Sequence, residues 1–343
     1  MTPLADRDLN HVLEHTRDLW DDFRGERVFI TGGTGFFGCW LLETFLWANQ
    51  QLNLGSSVTV LSRSPKTFLE RMPHLQDKKE IQWIQGDVVD FSFPAGKFPF
   101  VIHAATEASA KLTRENPRKM FDTIVDGTRR TIEFAESHAA KKFLLTSSGA
   151  VYGKQPPELE RIPEDYLGAP NPLDPLAVYG EGKRAAEMLC AISSSSCEKK
   201  IARCFAFVGP HLPLDAHFAI GNFIRDAMQG GPIKINGDGT PLRSYLYASD
   251  LAIWLWTILI KGQPLRPYNV GSEEHISIAE LATVVSLQVN PHVSVIMKKI
   301  SDPSKPIDKY IPDVTLAKDE LFLDVEVPLE KSILYTIEFK YDR

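Results

Sequence analysis

The sequence is poor in the features that mark secreted, metal-binding or nucleic-acid-binding proteins. Its 343 residues include only four cysteines, which show no CxxC or Cys/His spacing and so predict no metal site: Cys39, Cys190, Cys197 and Cys204. We therefore expect buried thiols in a reducing compartment. The formal net charge of −6 argues against a nucleic-acid partner, because such partners normally require a basic surface.

Long apolar runs are missing as well. The most apolar stretch, residues 251–260, falls well short of the ~20 residues that a membrane span needs, and it is typical of a buried helix. The first residues lack an apolar segment behind a basic start, which is the mark of a secretory signal. We therefore expect a cytoplasmic protein that does not associate with membranes.

Strands and helices alternate along most of the chain. A helix over residues 4–24 precedes the first strand, and apolar strands are predicted at 28–30, 57–61, 81–84, 98–103 and 142–146. Helical patterns lie between them, at 38–47 and 123–137 among others. This alternation predicts a doubly wound α/β fold, in which helices cover both faces of a parallel sheet.

The length of the chain predicts two packed units, because single hydrophobic cores rarely grow to 343 residues. The alternation ends near residue 205, where glycine, proline and short apolar stretches take over. We expect a sheet domain formed by residues 1–205, with 241–270 returning to it. Residues 206–240 and 271–343 would then form a smaller, mixed α/β substrate domain.

Three glycines follow the first strand directly and lead into a helix. Gly32 would allow a tight turn, Gly35 a close approach of the backbone to a pyrophosphate, and Gly38 the close packing of helix on strand. The helix that opens with Phe36 and Phe37 would direct its N-terminus at the negative charge. The pattern predicts a dinucleotide site of the Rossmann type.

The residues after the second and third strands bear on which dinucleotide is bound. An NAD-selective site usually has an acidic residue at the end of the second strand, whereas this strand is followed by Ser62 and Arg63. A hydroxyl and a guanidinium suit a 2′-phosphate, which tilts the prediction from NAD towards NADP. Alternatively, Arg63 stacks on the adenine or points to water. Asp87 and Val88 follow the third strand and fit a contact to the adenine amine.

A phenol and an ammonium group are spaced to share one face of a helix. Tyr179 and Lys183 are four residues apart. A free phenol titrates near pH 10, and both an ammonium and a nicotinamide cation would favour its ionised form. Ser148, at the end of the fifth strand, is the best candidate to bind the reacting oxygen, with Ser147 as the fallback. This set predicts an enzyme that removes a hydroxyl proton while hydride leaves the carbon.

With these motifs in order, the sequence resembles the extended short-chain dehydrogenase/reductase family of nucleotide-sugar epimerases and dehydratases over about residues 25–335. The matching segments are residues 31–38, 86–87, 103–105, 126–128, 146–148, 179–183, 209–210, 237–245 and 268–272. The resemblance implies a nicotinamide cofactor, a sugar linked to a nucleoside diphosphate, hydride chemistry usually at C4, and a homodimer. It also implies site residues: a Ser148, Tyr179 and Lys183 triad, cofactor contacts at Ala104 and Ala105, and a nucleotide-diphosphate pocket at Asn222, Phe223 and Arg243.

Departures from the family pattern narrow the set of reactions that this chain is expected to catalyse. The 4,6-dehydratases have an Asp-Glu pair where this chain has Gly149 and Ala150, and decarboxylases of nucleotide-linked glucuronic acid have Glu at the position of Ala150. Neither glycine nor alanine can move a proton. This favours a 4-epimerase, with a keto-sugar reductase as the close alternative. Residues 179–184 nevertheless resemble the decarboxylases, and a 4,6-dehydratase or decarboxylase with atypical acid and base residues stays open as an alternative. A non-enzymatic dinucleotide sensor is disfavoured by the intact triad.

Two further positions concern the substrate. Glu107 follows the fourth strand, where it either faces the sugar or satisfies backbone amides. Lys305 stands where relatives have an arginine that binds phosphate. A lysine would offer the point charge of an ammonium group in place of the paired N–H donors of a guanidinium. Ala206 stands where family members often have an asparagine that touches the diphosphate.

Overall fold

The structure, a computed structural model, describes residues 2–106, 110–216 and 218–341. Its helices are α1 (Asp6–Thr16), α2 (Phe36–Gln51), α3 (Pro65–Arg71), α4 (Ala110–Glu115), α5 (Pro117–Ser137), α6 (Val178–Ile192), α7 (Ala219–Met228), α8 (Ala248–Lys261), α9 (Ile278–Leu287), α10 (Thr315–Leu321) and α11 (Leu329–Tyr341). Its strands are β1 (Arg27–Thr31), β2 (Ser57–Ser62), β3 (Ile81–Gln85), β4 (Phe100–His103), β5 (Lys142–Ser148), β6 (Glu198–Cys204), β7 (Phe207–Val208), β8 (Ile233–Ile235), β9 (Leu242–Ser244), β10 (Leu246–Tyr247), β11 (Pro267–Val270), β12 (His275–Ser277), β13 (Val295–Met297) and β14 (Lys309–Tyr310). Short 3-10 helices cover Arg17–Phe23, Pro73–Leu75, Gly149–Tyr152 and Pro175–Ala177.

Seven parallel strands form the central sheet, in the order β11-β6-β5-β4-β1-β2-β3. The chain builds outward from β1 to β3 and then crosses back to place β4 on the other side of β1. Thr31, at the end of β1, is therefore flanked by Leu61 of β2 and His103 of β4. This point of reversal is where open α/β sheets bind their ligands. The predicted doubly wound, Rossmann-type fold is confirmed.

The core lies on both faces of this sheet because side chains alternate along each strand. In β1, Val28 and Ile30 pack into the cluster on the side of α2 and α8, whereas Phe29 packs into the cluster on the side of α5 and α6. All three side chains are fully buried. Helix α8, which contains the apolar stretch 251–260, is buried along nearly its whole length. No helix in the described part of the chain is long and apolar enough to cross a membrane.

The N-terminal helix is anchored to the sheet domain by polar contacts as well as by its apolar face. The Tyr247 hydroxyl donates to Asp8 over 3.1 Å, and His11 lies 3.2 Å from the buried carboxylate of Asp250. The predicted helix over residues 4–24 is observed as α1 followed by a 3-10 turn. All four cysteines are buried and unpaired.

The C-terminal part builds smaller sheets that bring distant residues next to the end of β5. Strands β12, β9 and β14 form one sheet, in which Tyr310 of β14 pairs with Arg243 of β9. A bridge between Ile162 and Pro312 ties β14 to the loop that follows β5. In the sequence between β9 and β12, α8 packs on the central sheet and β11 forms an edge strand of that sheet. The exact domain boundaries stay a prediction.

Candidate active site

The glycine turn after β1 forms a cradle that a larger residue would fill. Gly32 has a φ of +73°, and a Cβ at this position would lie 2.5 Å from the carbonyl carbon and oxygen of Ala104 and 2.6 Å from the amide of Ala105. At Gly38, a Cβ would overlap the carbonyl oxygen of Gly32. Gly35 donates its amide to Gly32 over 3.0 Å and caps α2. A backbone loop at a helix N-terminus suits a pyrophosphate, so the residues present fit a bound dinucleotide.

The other predicted cofactor residues lie along the same edge of the sheet. The half-buried rings of Phe36 and Phe37 open α2, and Ala104 and Ala105 directly follow β4. These positions surround the turn at the carboxyl ends of β1 and β4. The structure therefore brings this part of the predicted set together.

Polar groups mark the ends of β2 and β3. Ser62 is buried, accepts the amide of Ser64 over 3.3 Å, and has its hydroxyl 3.4 Å from that of Thr34 in the glycine turn. Arg63 beside it is exposed, while Asp87 is half-buried next to the buried Val88. These side chains lie at the ends of β2 and β3, and their predicted contact with the adenosine of a dinucleotide stays a prediction.

Lys183 of α6 is held against the ends of two strands. Its ammonium donates to the carbonyl oxygen of Thr146 over 2.7 Å and to the hydroxyl of Thr106 over 2.8 Å. The side chain is almost fully buried, and this burial lowers its pKa to about 8. Two of its three protons are thus fixed and the group still keeps most of its charge at pH 7. Thr106 was missed from the sequence, although a hydroxyl just after a parallel strand was a usable signal.

Tyr179 lies close to Ser148. Burial raises the pKa of Tyr179 to about 12, while the nearby Ser148 hydroxyl acts in the opposite direction. The Lys183 ammonium lies 5.9 Å from the centre of the Tyr179 ring. The Ser148 hydroxyl also accepts the amide of Ala150 over 3.1 Å. The predicted Ser-Tyr-Lys set therefore forms one cluster.

Ser147 faces away from this cluster, because successive residues of a strand point to opposite sides. Its hydroxyl donates to Glu187 over 2.5 Å, and Glu187 accepts two hydrogen bonds from Arg203, over 2.7 and 3.0 Å. Arg203 also donates to the Tyr152 hydroxyl over 2.9 Å. Ser147 thus belongs to a half-buried ion-pair network.

A second phenol, missed from the sequence, lies at the same centre. The ring of Tyr310 on β14 packs on that of Phe205, with the ring centres 4.6 Å apart. A Cβ on Gly149 would lie 2.5 Å from the Tyr310 hydroxyl and 2.7 Å from the Phe205 ring. A larger residue at position 149 would therefore have to displace one of these two side chains. No local pattern could reveal this contact, because it depends on the pairing of β14 with β9.

The predicted substrate residues fall into different places. Asn222 and Phe223 of α7 line a cavity of about 500 Å³ beside β8, whereas Arg243 lies outside its lining and pairs with Asp308 over 2.5 Å. Lys305 is exposed and 3.6 Å from a carboxylate oxygen of Asp302. Among the contacts of the described residues, none joins Lys305 to the cluster. Glu107 lies outside the described residues.

Comparison with known proteins identifies the class to which this fold and site belong. The family model of the NAD dependent epimerase/dehydratase family matches residues 28–271. UDP-glucuronic acid decarboxylase 2 of Arabidopsis thaliana is 31% identical over 314 residues, covering 90% of this chain and 67% of that protein. UDP-glucuronic acid decarboxylase 1 of Danio rerio is 30% identical over 318 residues, covering 92% and 72%. The chain belongs to the NAD-dependent epimerase/dehydratase family of enzymes.

Solved structures show the same fold. UDP-glucose 4-epimerase of Thermotoga maritima, with UDP-glucose, superposes with a TM-score of 0.75 at 22% identity, covering 92% of this chain and 99% of that one. The Bordetella bronchiseptica enzyme WbmF, in complex with NAD+, gives a TM-score of 0.73 at 20% identity, covering 94% of each chain. The similarity includes both the sheet and the smaller C-terminal part.

Proposed function

We propose that this chain is an NAD(P)-dependent enzyme that transfers hydride at C4 of a sugar linked to a nucleoside diphosphate. The observation that supports this best is the cluster of Ser148, Tyr179 and Lys183 beside the glycine turn. The same cluster has two aromatic side chains, Tyr310 and Phe205, over Gly149 where an acid–base pair would otherwise stand. This set can move one proton at one oxygen, and none of the described residues that form it is a carboxylate that could act at the adjacent carbons.

The roles of the residues follow from their contacts. Tyr179 exchanges a proton with the C4 oxygen, and Ser148 hydrogen-bonds that oxygen. The charge of Lys183 favours the phenolate, and its third proton is placed to hold the nicotinamide ribose. When bound, NAD(P) supplies the site that accepts or donates the hydride. Asn222 and Phe223 would contact the nucleotide of the substrate in the cavity beside α7.

A 4-epimerase is the form of this chemistry that the sequence favours. The relatives named above are decarboxylases of a UDP-linked sugar acid, which supports a UDP-sugar as the first substrate class to test. Ala150 argues against decarboxylation here, because the resemblance places the glutamate of those enzymes at that position. An epimerase needs only to remove a hydride from C4 of the sugar and to return it to the same carbon.

A keto-sugar reductase is the second candidate, and a specific observation favours it. An epimerase must let the keto-sugar turn over inside its pocket, whereas Tyr310 and Phe205 occupy the space beside Gly149. Reductases commonly consume NADPH, and Ser62 with Arg63 suits a 2′-phosphate better than a carboxylate would. A preference for NADP(H) over NAD(H) is therefore part of this proposal.

A panel of UDP- and dTDP-linked sugars and 4-keto-sugars, incubated with each nicotinamide cofactor, tests the proposal. Nicotinamide absorbance and product mass are followed together. Net consumption of NADPH with a keto-sugar identifies the reductase, whereas epimer formation without net consumption identifies the epimerase. Tyr179→Phe should bind cofactor normally and lose turnover, while Tyr341→Phe, which alters an exposed phenol, should behave like the wild type. Full activity of Tyr179→Phe would contradict the proposal.

We also propose a homodimer formed through α5 and α6. Both helices expose apolar side chains: Phe121 on α5 is 37% exposed, and Met188 and Ile192 on α6 are 60% and 67% exposed. Light scattering after gel filtration should give twice the chain mass of 38.5 kDa. Met188→Lys should shift that mass towards the monomer, and a wild-type mass equal to one chain would refute the dimer.

A further inference from the structure

His103, at the end of β4, is a buried histidine that the proposed chemistry does not use. Only 1% of its surface is exposed. Burial, together with the nearby charge of Lys183, lowers the pKa of the imidazole to about 3. The ring is therefore neutral at pH 7, with one protonated nitrogen that donates and one unprotonated nitrogen that accepts. Which nitrogen carries the proton decides which neighbour the ring can orient.

Two threonines of α5 assign the proton to Nε2 of His103. The Thr128 hydroxyl donates its single proton to the carbonyl oxygen of Ile124 over 2.6 Å, so it can only accept from Nε2, which lies 3.0 Å away. Thr131 lies 3.4 Å from Nδ1, but its proton goes to the carbonyl oxygen of Gly127 over 2.7 Å. Because the neutral ring has one proton and Nε2 carries it, Nδ1 is an acceptor.

The unprotonated Nδ1 orients the hydroxyl of Thr31, the last residue of β1. The two atoms are 2.8 Å apart, and the hydroxyl must be the donor because Nδ1 has only a lone pair to offer. The oxygen of Thr31 then accepts the backbone amide of Ala105 over 3.2 Å. The amide of Ala104 donates to the carbonyl oxygen of Thr31 over 3.1 Å. Thr31 thus holds two successive amides after β4, the second of them through its side chain.

The backbone at Ala105 is a wall of the cradle formed by the glycine turn. A Cβ on Gly32 would lie 2.6 Å from the Ala105 amide nitrogen, so the turn runs directly against it. The carbonyl oxygen of Ala105 accepts the hydroxyl proton of Thr106 over 2.8 Å, and the oxygen of that hydroxyl accepts the ammonium of Lys183 over 2.8 Å. The residue whose amide Thr31 holds therefore lies between the glycine turn and Lys183.

We propose that His103 is a positioning residue for the cofactor: through the hydroxyl of Thr31 it fixes the backbone amide of Ala105, and with it the shape of the cradle. The proposal rests on the proposed function, since that function makes the glycine turn the seat of NAD(P). Without an acceptor at Nδ1, the Thr31 hydroxyl loses its fixed direction and the Ala105 amide loses a hydrogen bond. A neutral hydrogen bond contributes about 1 kcal/mol, which corresponds to about a fivefold change in an equilibrium constant.

Thr31→Val isolates the contact, because valine has the shape of threonine without its hydroxyl. Hydrogen exchange of the Ala105 amide is followed by NMR in the full chain labelled with 15N-alanine, and cofactor affinity by fluorescence titration with NADH and NADPH. Exchange should become about fivefold faster and affinity should fall by about the same factor. Thr31→Ser keeps the hydroxyl and should preserve both. The matched control is Thr59→Val, which removes a buried hydroxyl from β2 that donates to Gln82 over 3.3 Å, and it should change neither.

Two variants of His103 separate positioning from a general structural role. Asparagine places a carbonyl oxygen near the position of Nδ1, whereas glutamine places an amide nitrogen near that of Nε2. His103→Asn should therefore keep the exchange rate and the affinity near their wild-type values. His103→Gln should behave like Thr31→Val, and combining the two should add nothing further. Equal losses in the asparagine and glutamine variants would overturn the proposal, because they would indicate a structural role alone.

The protonation of the ring is read directly from 15N-histidine NMR of the wild type, with the His103 signals assigned from their loss in His103→Asn. Nε2 should resonate as a protonated nitrogen and Nδ1 as an unprotonated one, without change from about pH 8 to about pH 5. The opposite tautomer would overturn the proposal. This reading also decides the case should the His103 variants fold poorly.

These measurements separate the proposal from the proposed function, because they need neither a substrate nor turnover. A wild type that binds neither NADH nor NADPH would refute the proposed function, while the tautomer and the exchange of the Ala105 amide would still test the contact. Unchanged exchange and affinity in Thr31→Val would overturn the role of His103 and leave the proposed function intact.

Discussion

An alanine at position 32 should damage the chain in two separable ways. Gly32 has a φ of +73°, and an L-residue in the left-handed region costs about 1–2 kcal/mol. Its Cβ would also lie 2.5–2.6 Å from backbone atoms of Ala104 and Ala105, which cannot rotate away. Overpacking of this kind costs about 1–3 kcal/mol. The free energy of unfolding should therefore fall by about 2–5 kcal/mol in Gly32→Ala.

Gly25 provides a matched control for the backbone contribution. Its φ is +72°, and a Cβ there would meet no atom within 4 Å. Gly25→Ala should therefore lose only about 1–2 kcal/mol. The difference between the two variants measures the clash between the glycine turn and the end of β4.

Urea denaturation and a fluorescence titration with NADH and NADPH measure the two consequences. The clash displaces the turn that would seat the pyrophosphate, so Gly32→Ala should weaken cofactor binding at least about tenfold, or about 1.4 kcal/mol. Gly25→Ala should bind as tightly as the wild type. Equal losses of stability in the two variants, or unchanged affinity in Gly32→Ala, would refute the reasoning.

Two further predictions concern the polar network behind the cluster. Ser147→Ala leaves Glu187 without one hydrogen bond, so the free energy of unfolding should fall by about 1–3 kcal/mol while turnover persists. Ser148→Ala, in contrast, should lose turnover. The reverse pattern in an activity assay would contradict the assignment of Ser148 to the active site. Burial raises the pKa of Glu164 from 4.5 to about 7, so the folded state binds the extra proton and stability should fall as pH rises from about 4.5 to 7. Glu164→Gln can keep the acceptor for the Asn269 amide, 2.8 Å away, and should flatten this part of the stability–pH curve; an unchanged curve would show that another group is responsible.

Features encoded in short segments were predictable from the sequence. The strands, the turn at Gly32 to Gly38 and the helical spacing of Tyr179 and Lys183 depend on near neighbours, and the fold class and the enzyme family that they predict are confirmed. The choice of Ser148 over Ser147 was less secure. Because side chains alternate along a strand, Ser147 and Ser148 must face opposite sides of the sheet. Only the assembled sheet shows which side holds Tyr179.

Contacts made by distant strands were beyond such reasoning. The Tyr310 hydroxyl lies beside Gly149 only because β14 pairs with β9, and nothing near residue 310 indicates that pairing. Likewise Arg243, expected in the nucleotide pocket, pairs with Asp308, which directly precedes β14. Its role in substrate binding, like that of Lys305, stays a prediction. Smaller sheets with short strands have little apolar pattern of their own, so their register could not be predicted.

The central claim is that proton transfer is confined to the oxygen at C4, with no bond made or broken to hydrogen at C5. Running the reaction in D2O with the nucleotide sugar identified by the panel tests this directly, with an enzyme-free sample as the control. NMR of the product should show no carbon-bound deuterium beyond the control, because the hydride comes from the cofactor or returns from it. Enzyme-dependent deuterium at C5 would contradict the account and would indicate a decarboxylase or dehydratase.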